Sequence, residues 1–106
     1  MSRREQLERM LSQDPQDEFL RYGLAMEYRK ASEFDKALEL MDGLMRDNPP
    51  HVPSFLMAAQ VLVELGRIAD ARTVLREGIE VAREQNNAHA AGEMGELLSQ
   101  LGELGE

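Results

Sequence analysis

Apolar residues recur along this chain at the spacing of an α-helix, and no stretch shows the strict alternation of a half-buried β-strand. Turn signals that contain Pro, Gly or Asn interrupt the apolar stripes and divide the chain into segments. The pattern therefore predicts an all-α protein. Its helices are expected at about residues 2–13, 17–30, 34–46, 53–65, 68–84 and 88–103.

The predicted helices differ in how much of their surface is apolar. Segment 53–65 is apolar almost all round, so we expect it to be the most buried helix or to present an open binding face. Segment 88–103 has a single apolar stripe, with Glu93, Glu96 and Gln100 on the opposite side. A helix of this kind is typical of the end of a repeat stack, which it closes against water.

Two stretches of the chain repeat one another at a displacement of 34 residues. Small and apolar residues correspond between residues 18–49 and 52–83, and Pro15 corresponds to Pro49. The corresponding pairs are Ala25 and Ala59, Tyr28 and Leu62, Phe34 and Ile68, Ala37 and Ala71, and Met41 and Leu75. An internal repeat of this length predicts stacked helical hairpins, with the small residues where paired helices touch.

These residues resemble the tetratricopeptide repeat family, in which a helix–turn–helix of 34 residues carries small residues at helix contacts and a proline after its second helix. The resemblance implies antiparallel helical hairpins stacked as a short right-handed α-solenoid. It implies a single domain over residues 1–106, with a half repeat at 2–15, complete repeats at 18–51 and 52–85, and a C-terminal capping helix at 88–104.

Two positions depart from the pattern of this family. Arg21 stands where the family usually has a large apolar residue, so it is an exception to the apolar packing expected at the N-terminal edge. Gly78 lies inside the fifth predicted helix and replaces an apolar residue. It is expected to cost about 1 kcal/mol of helix stability relative to alanine, unless a neighbouring helix packs closely there.

The composition narrows the possible functions. The net charge is −8, which argues against a protein that neutralises nucleic-acid phosphates or binds an anionic membrane surface. The chain has no cysteine, which excludes disulfides and thiolate chemistry. No apolar run could serve as a signal peptide or cross a membrane, so we expect a cytoplasmic protein.

The sequence offers no arrangement of residues that would carry out catalysis. No nucleophile lies at a suitable spacing from a base, and there is no glycine-rich phosphate loop. His51 and His89 lie in separate turns without the spacing of metal ligands, so both are expected to be ordinary solvated residues. We therefore predict a non-enzymatic protein with no metal and no cofactor.

The surface of the first helix of each repeat remains as the candidate for function. In stacked hairpins these helices line the concave side, so we predict a protein-interaction module that binds a peptide or an amphipathic helix in an apolar groove. The predicted groove residues are Phe19, Tyr22, Met26, Arg29, Leu56, Gln60 and Val63, with Lys30 and Met57 as neighbouring candidates. Tyr22 and Met26 stand where some members of the family place Lys and Asn to bind the C-terminal carboxylate of heat-shock chaperones, so that activity is not expected.

Other interpretations of the same surface remain open. Neighbouring helices could cover these side chains. Alternatively, the chain is a self-assembly element whose groove is filled by another copy, because it has fewer than the three repeats usually needed for independent stability. The expected partner is accordingly another protein or peptide, or a second copy of the chain.

Overall fold

The computed structural model describes the backbone of residues 1–105, and the side chains of residues 1–102. Within this range the chain forms six α-helices and no strand, which confirms the predicted all-α fold. The helices are α1 (Arg3–Gln13), α2 (Glu18–Lys30), α3 (Phe34–Met45), α4 (Val52–Glu64), α5 (Ile68–Glu84) and α6 (Ala88–Gly105). The chain divides into two compact units, Met1–His51 and Val52–Glu106, which are described separately.

Local capping interactions define where the first two helices begin. The Ser2 hydroxyl accepts a hydrogen bond from the Glu5 amide at 3.1 Å, and the Glu5 carboxylate accepts one from the Ser2 amide at 3.2 Å. This reciprocal pair satisfies two amides at the start of α1 that lack helical partners. At the start of α2, the Asp17 carboxylate accepts a hydrogen bond from the Leu20 amide at 2.8 Å. Both caps agree with the starts predicted from the sequence.

Three of the helices end in tight turns of one type. Ser32, Gly66 and Asn86 follow α2, α4 and α5 with φ values of 59°, 77° and 58°, in the left-handed region. In each turn the next amide donates to the carbonyl five residues before it, which satisfies an acceptor at the helix end. These bonds join Glu33 N to Tyr28 O at 2.9 Å, Arg67 N to Leu62 O at 2.8 Å, and Asn87 N to Ala82 O at 2.8 Å. Ser32 and Gly66 are 34 residues apart, so the internal repeat extends to the geometry of its turns.

The core of the first unit lies where α2 packs against α1 and α3. Leu7, Leu20 and Leu24 form a buried cluster that is flanked by partly buried side chains, including Tyr28. Ala25 on α2 and Ala37 on α3 are completely buried, as expected for small residues where paired helices approach closely; the other buried residues of α3 are Met41 and Leu44.

An ion pair accommodates Arg21 at a position where the family usually has a large apolar residue. Its side chain is only 11% exposed, and its guanidinium donates to the Asp47 carboxylate at 2.5 and 3.2 Å. It also donates to the Gln16 carbonyl at 2.9 Å, whereas its buried Nε has no partner among the described residues. The first turn of α2 is thus tied to the segment that follows α3 by charge rather than by apolar packing.

The core of the second unit is built around α4. Most residues of this helix are buried, which agrees with its apolar surface on nearly all sides; the buried set is Val52, Ser54, Phe55, Met57, Ala58, Ala59, Val61 and Leu62. α5 contributes Ala71, Leu75, Gly78 and Ala82, and α6 contributes Met94 and Leu101.

Gly78 marks a close approach of helices in the second unit. A Cβ atom built at this position would lie 2.6 Å from the Phe55 Cβ on α4 and 2.6 Å from the Met94 sulfur on α6. Neighbouring helices therefore do pack closely at Gly78. Such packing was the condition under which this glycine was not expected to reduce stability. The contact brings both α4 and α6 against α5, and α4 and α6 also touch each other.

Candidate functional site

The four predicted residues of the first unit share one face of α2. Phe19, Tyr22, Met26 and Arg29 follow one another at helical spacing, and we call this set the α2 stripe. Phe19 is 75% exposed and Met26 is 43% exposed, while Tyr22 and Arg29 are half-buried. The neighbouring candidate Lys30 is exposed. Two apolar side chains of the α2 stripe are thus accessible in this structure.

Tyr22 is held in place by a histidine from the end of the same unit. Its ring meets the His51 ring edge-on, with 4.8 Å between the centroids and an interplanar angle of 63°. Burial raises the pKa of the Tyr22 hydroxyl, and the nearby Arg29 acts in the opposite direction. The phenol therefore stays neutral around pH 7, and it can donate a hydrogen bond while its ring packs.

The expectation that His51 is an ordinary solvated residue is wrong. Its side chain is only 14% exposed, and its Nε2 lies 3.9 Å from the Glu18 carboxylate. Burial lowers the pKa of His51, while Glu18 acts to raise it. The sequence placed this residue in a turn, but it could not show that the turn folds back onto Tyr22. His89, by contrast, is 87% exposed and agrees with the expectation.

The three predicted residues of the second unit lie on α4 and are half-buried. Leu56 and Gln60 line an open cleft of about 200 Å³, which is closed on its other side by α6. Val63 lies one turn further along α4 and does not line this cleft, and the neighbouring candidate Met57 is buried in the core. We call the cavity the α4–α6 cleft; its lining residues are Leu56, Gln60, Glu93, Glu96, Leu97 and Gln100.

Sequence reasoning missed the contribution of α6 to this cleft. Glu93, Glu96 and Gln100 were assigned to the polar side of a capping helix that faces water. In the structure they lie beside Leu97 at the cleft, and Leu56 approaches from α4. The sequence pattern assigned Leu97 to the apolar stripe of α6 and the three polar residues to the opposite side, and helical spacing does not identify the element that lies against either side.

The structure thus groups the predicted residues in two sets, one on α2 and one on α4. The hypothesis that both sets line a single groove stays a prediction. Among the described residues, no three His, Asp or Glu side chains converge in a way that could hold a metal ion. Over the same part of the chain, no helix is both long enough and apolar enough to cross a bilayer.

Comparison with known proteins gives a family match and two related folds. The profile of the family described as "Anaphase-promoting complex, cyclosome, subunit 3" matches residues 6–78, which is more than half of the chain. A tetratricopeptide repeat domain protein from Salinibacter ruber is 31% identical in sequence and superposes with a TM-score of 0.77, over 82% of this chain and 88% of that one. Protein BPP2914 from Bordetella parapertussis shares the fold with a TM-score of 0.83 at 24% identity, over 97% of this chain and 90% of that one. No curated protein matches the sequence significantly.

Proposed function

The chain belongs to the tetratricopeptide repeat family, and on this premise we propose that it is a protein-interaction module that binds a peptide or an amphipathic helix. The α2 stripe would supply one contact surface, and Leu56, Gln60 and Val63 of α4 would supply another. The partner would be another protein or a peptide segment of one. Binding of this kind needs surface complementarity and no catalytic group.

The observation that carries this proposal is the exposure of Phe19 and Met26 on one helical face. Phe19 keeps three-quarters of its accessible surface in water, although burying such a side chain typically stabilises a protein by about 1.5–3 kcal/mol. Contiguous exposed apolar surface on a soluble protein commonly marks an interaction site. An aromatic ring beside a flexible thioether also suits apolar partners of varied shape.

Each residue of the α2 stripe would make a different contact with the partner. Phe19 and Met26 are the accessible apolar anchors. Tyr22 is less accessible because its ring packs against His51, so it would form the floor of the contact and offer its hydroxyl. Arg29 would pair with an acceptor on the partner and set its direction along α2.

The proposal is tested with peptides selected from a displayed random library for binding to the wild-type chain. Their dissociation constants are then measured by titration calorimetry for wild type and for the double variant Phe19→Asp with Met26→Asp. We expect at least a tenfold loss of affinity, because both anchors become charged. Met10→Asp is the matched control, since Met10 is 53% exposed on α1, outside the α2 stripe. Unchanged affinity in a double variant that keeps its helical circular dichroism spectrum would refute the role of the α2 stripe.

The same variants address the self-assembly alternative. Light scattering over a wide concentration range reports the mass of the wild-type chain without any peptide. A mass that rises with concentration in wild type but not in the double variant would show that a second copy occupies the α2 stripe. A constant monomeric mass supports binding of a different partner.

A further inference from the structure

The α4–α6 cleft combines an apolar floor with a negatively charged rim. Leu56 lines it from α4 and Leu97 from α6, and Glu93 and Glu96 come from successive turns of α6. Gln60 on α4 and Gln100 on α6 are the other polar lining residues. The cleft volume of about 200 Å³ far exceeds the roughly 10–15 Å³ that a single water molecule requires, so it can admit a side chain.

The two glutamates give this cleft a negative charge. None of the lining residues is basic. Glu93 lies 3.4 Å from the exposed His89. Glu96 has no ion pair or hydrogen bond to the described residues, so its carboxylate is available to an external cation.

Resting on the function proposed above, we propose that the α4–α6 cleft binds an arginine side chain presented by a partner peptide. The alkyl stem of arginine would lie on Leu56 and Leu97, because long cationic side chains bury their stems on apolar surface and keep the charge in water. The planar guanidinium has five donors, which can reach the two carboxylates and the amide oxygens of Gln60 and Gln100. The partner would therefore be a segment that carries an arginine together with apolar residues.

The test uses a synthetic hexapeptide of alternating leucine and arginine, acetylated and amidated so that its termini carry no charge. A second hexapeptide replaces each arginine with citrulline, which keeps the shape and removes the charge. Both are titrated into ¹⁵N-labelled protein and followed by nuclear magnetic resonance. We expect the arginine peptide to shift the amide resonances of Leu56, Gln60 and Leu97, with the citrulline peptide at least tenfold weaker.

A matched pair of variants separates the cleft from the overall negative charge. Glu93→Gln with Glu96→Gln removes two charges from the cleft, whereas Glu80→Gln with Glu84→Gln removes two charges from the exposed side of α5. We expect the cleft variant to weaken the arginine peptide about tenfold and the α5 variant to weaken it less than twofold. The glutamates replaced are exposed, so both variants should retain the wild-type melting temperature within a few degrees.

Three results would overturn the inference. These are equal affinity for the arginine and citrulline peptides, equal weakening by the two glutamine variants, or resonance shifts that leave the cleft unaffected. In each case a library-selected peptide that still depends on Phe19 and Met26 would leave the proposed interaction function standing. Failure of the α2 test, with cleft binding intact, would reject the α2 stripe and keep the arginine site.

Discussion

Replacing Gly78 with alanine should destabilise the protein, although alanine is the better helix former. The new Cβ would lie 2.6 Å from the Phe55 Cβ, whereas non-bonded carbons pack best at about 3.5–4.0 Å. The Phe55 Cβ is attached directly to the α4 backbone, so relief requires α4 and α5 to move apart. The Met94 sulfur, also 2.6 Å away, belongs to a flexible side chain, but that side chain is fully buried.

The expected magnitude is the balance of two effects. Overpacking of a well-filled core typically costs about 1–3 kcal/mol. The gain in helix propensity from glycine to alanine is about 1 kcal/mol. Because the Phe55 Cβ cannot rotate away, we place the packing cost near its upper end and expect a net loss of about 1–2 kcal/mol of folding stability. At roughly 4–8 °C per kcal/mol for a domain of this size, the melting temperature should fall clearly.

Thermal and urea unfolding followed by circular dichroism measure this effect, with Gly95→Ala as the matched control. Gly95 lies inside α6 of the same unit, and a Cβ there would meet no atom within 4 Å. This control should gain up to about 1 kcal/mol from helix propensity alone. If Gly78→Ala were as stable as Gly95→Ala, the close approach of α4 and α6 to α5 would be refuted.

Three further predictions concern the positive-φ turns of both units and two side chains of the first unit. Ser32→Gly should stabilise the chain by about 0.5–1 kcal/mol and Gly66→Ser should destabilise it similarly, because both positions have positive φ; urea midpoints check this. Asp47→Asn should cost about 1–3 kcal/mol, because it leaves the buried guanidinium of Arg21 without its counter-charge; an unchanged unfolding free energy would contradict this. Hydrogen bonding from Arg21 lowers the pKa of Asp47 below 3.8. The wild type should therefore lose this stabilisation as the pH falls through the pKa of Asp47 in the folded state, whereas Asp47→Asn should show no such loss. Burial lowers the pKa of His51 from 6.5, so the neutral imidazole stabilises the folded state above pH 6.5. Stability should decline as the pH falls from 6.5 toward the pKa of His51 in the folded state. Thermal melts at a series of pH values should show this decline in the wild type and not in His51→Asn.

The helical architecture was accessible from the sequence because its signals are local. The capping box at Ser2, the cap at Asp17 and the left-handed turn at Gly66 act within a few residues, and the structure contains all three. The small residues Ala25 and Ala37 predicted a close helix pair, and both are completely buried. The division of the chain into repeats and the single groove remain predictions.

The candidate site was less accessible from the sequence. Helical spacing grouped the α2 stripe on one face, and the exposure of Phe19 and Met26 agrees with a surface role. Helical spacing did not predict that His51 packs against Tyr22. Both residues are ordinary in their own segments, and only the return of the chain after α3 brings their rings together.

The amino-acid sequence alone determined where the helices begin and end, because caps, turns and apolar periodicity act over one or two helical turns. The tertiary structure decided what lies opposite each face. Arg21 pairs with Asp47, and Glu93 and Glu96, which are exposed to solvent, also line a cleft between α6 and α4. Helical spacing determines which residues share a face, but the partner of that face depends on packing between residues far apart in the chain.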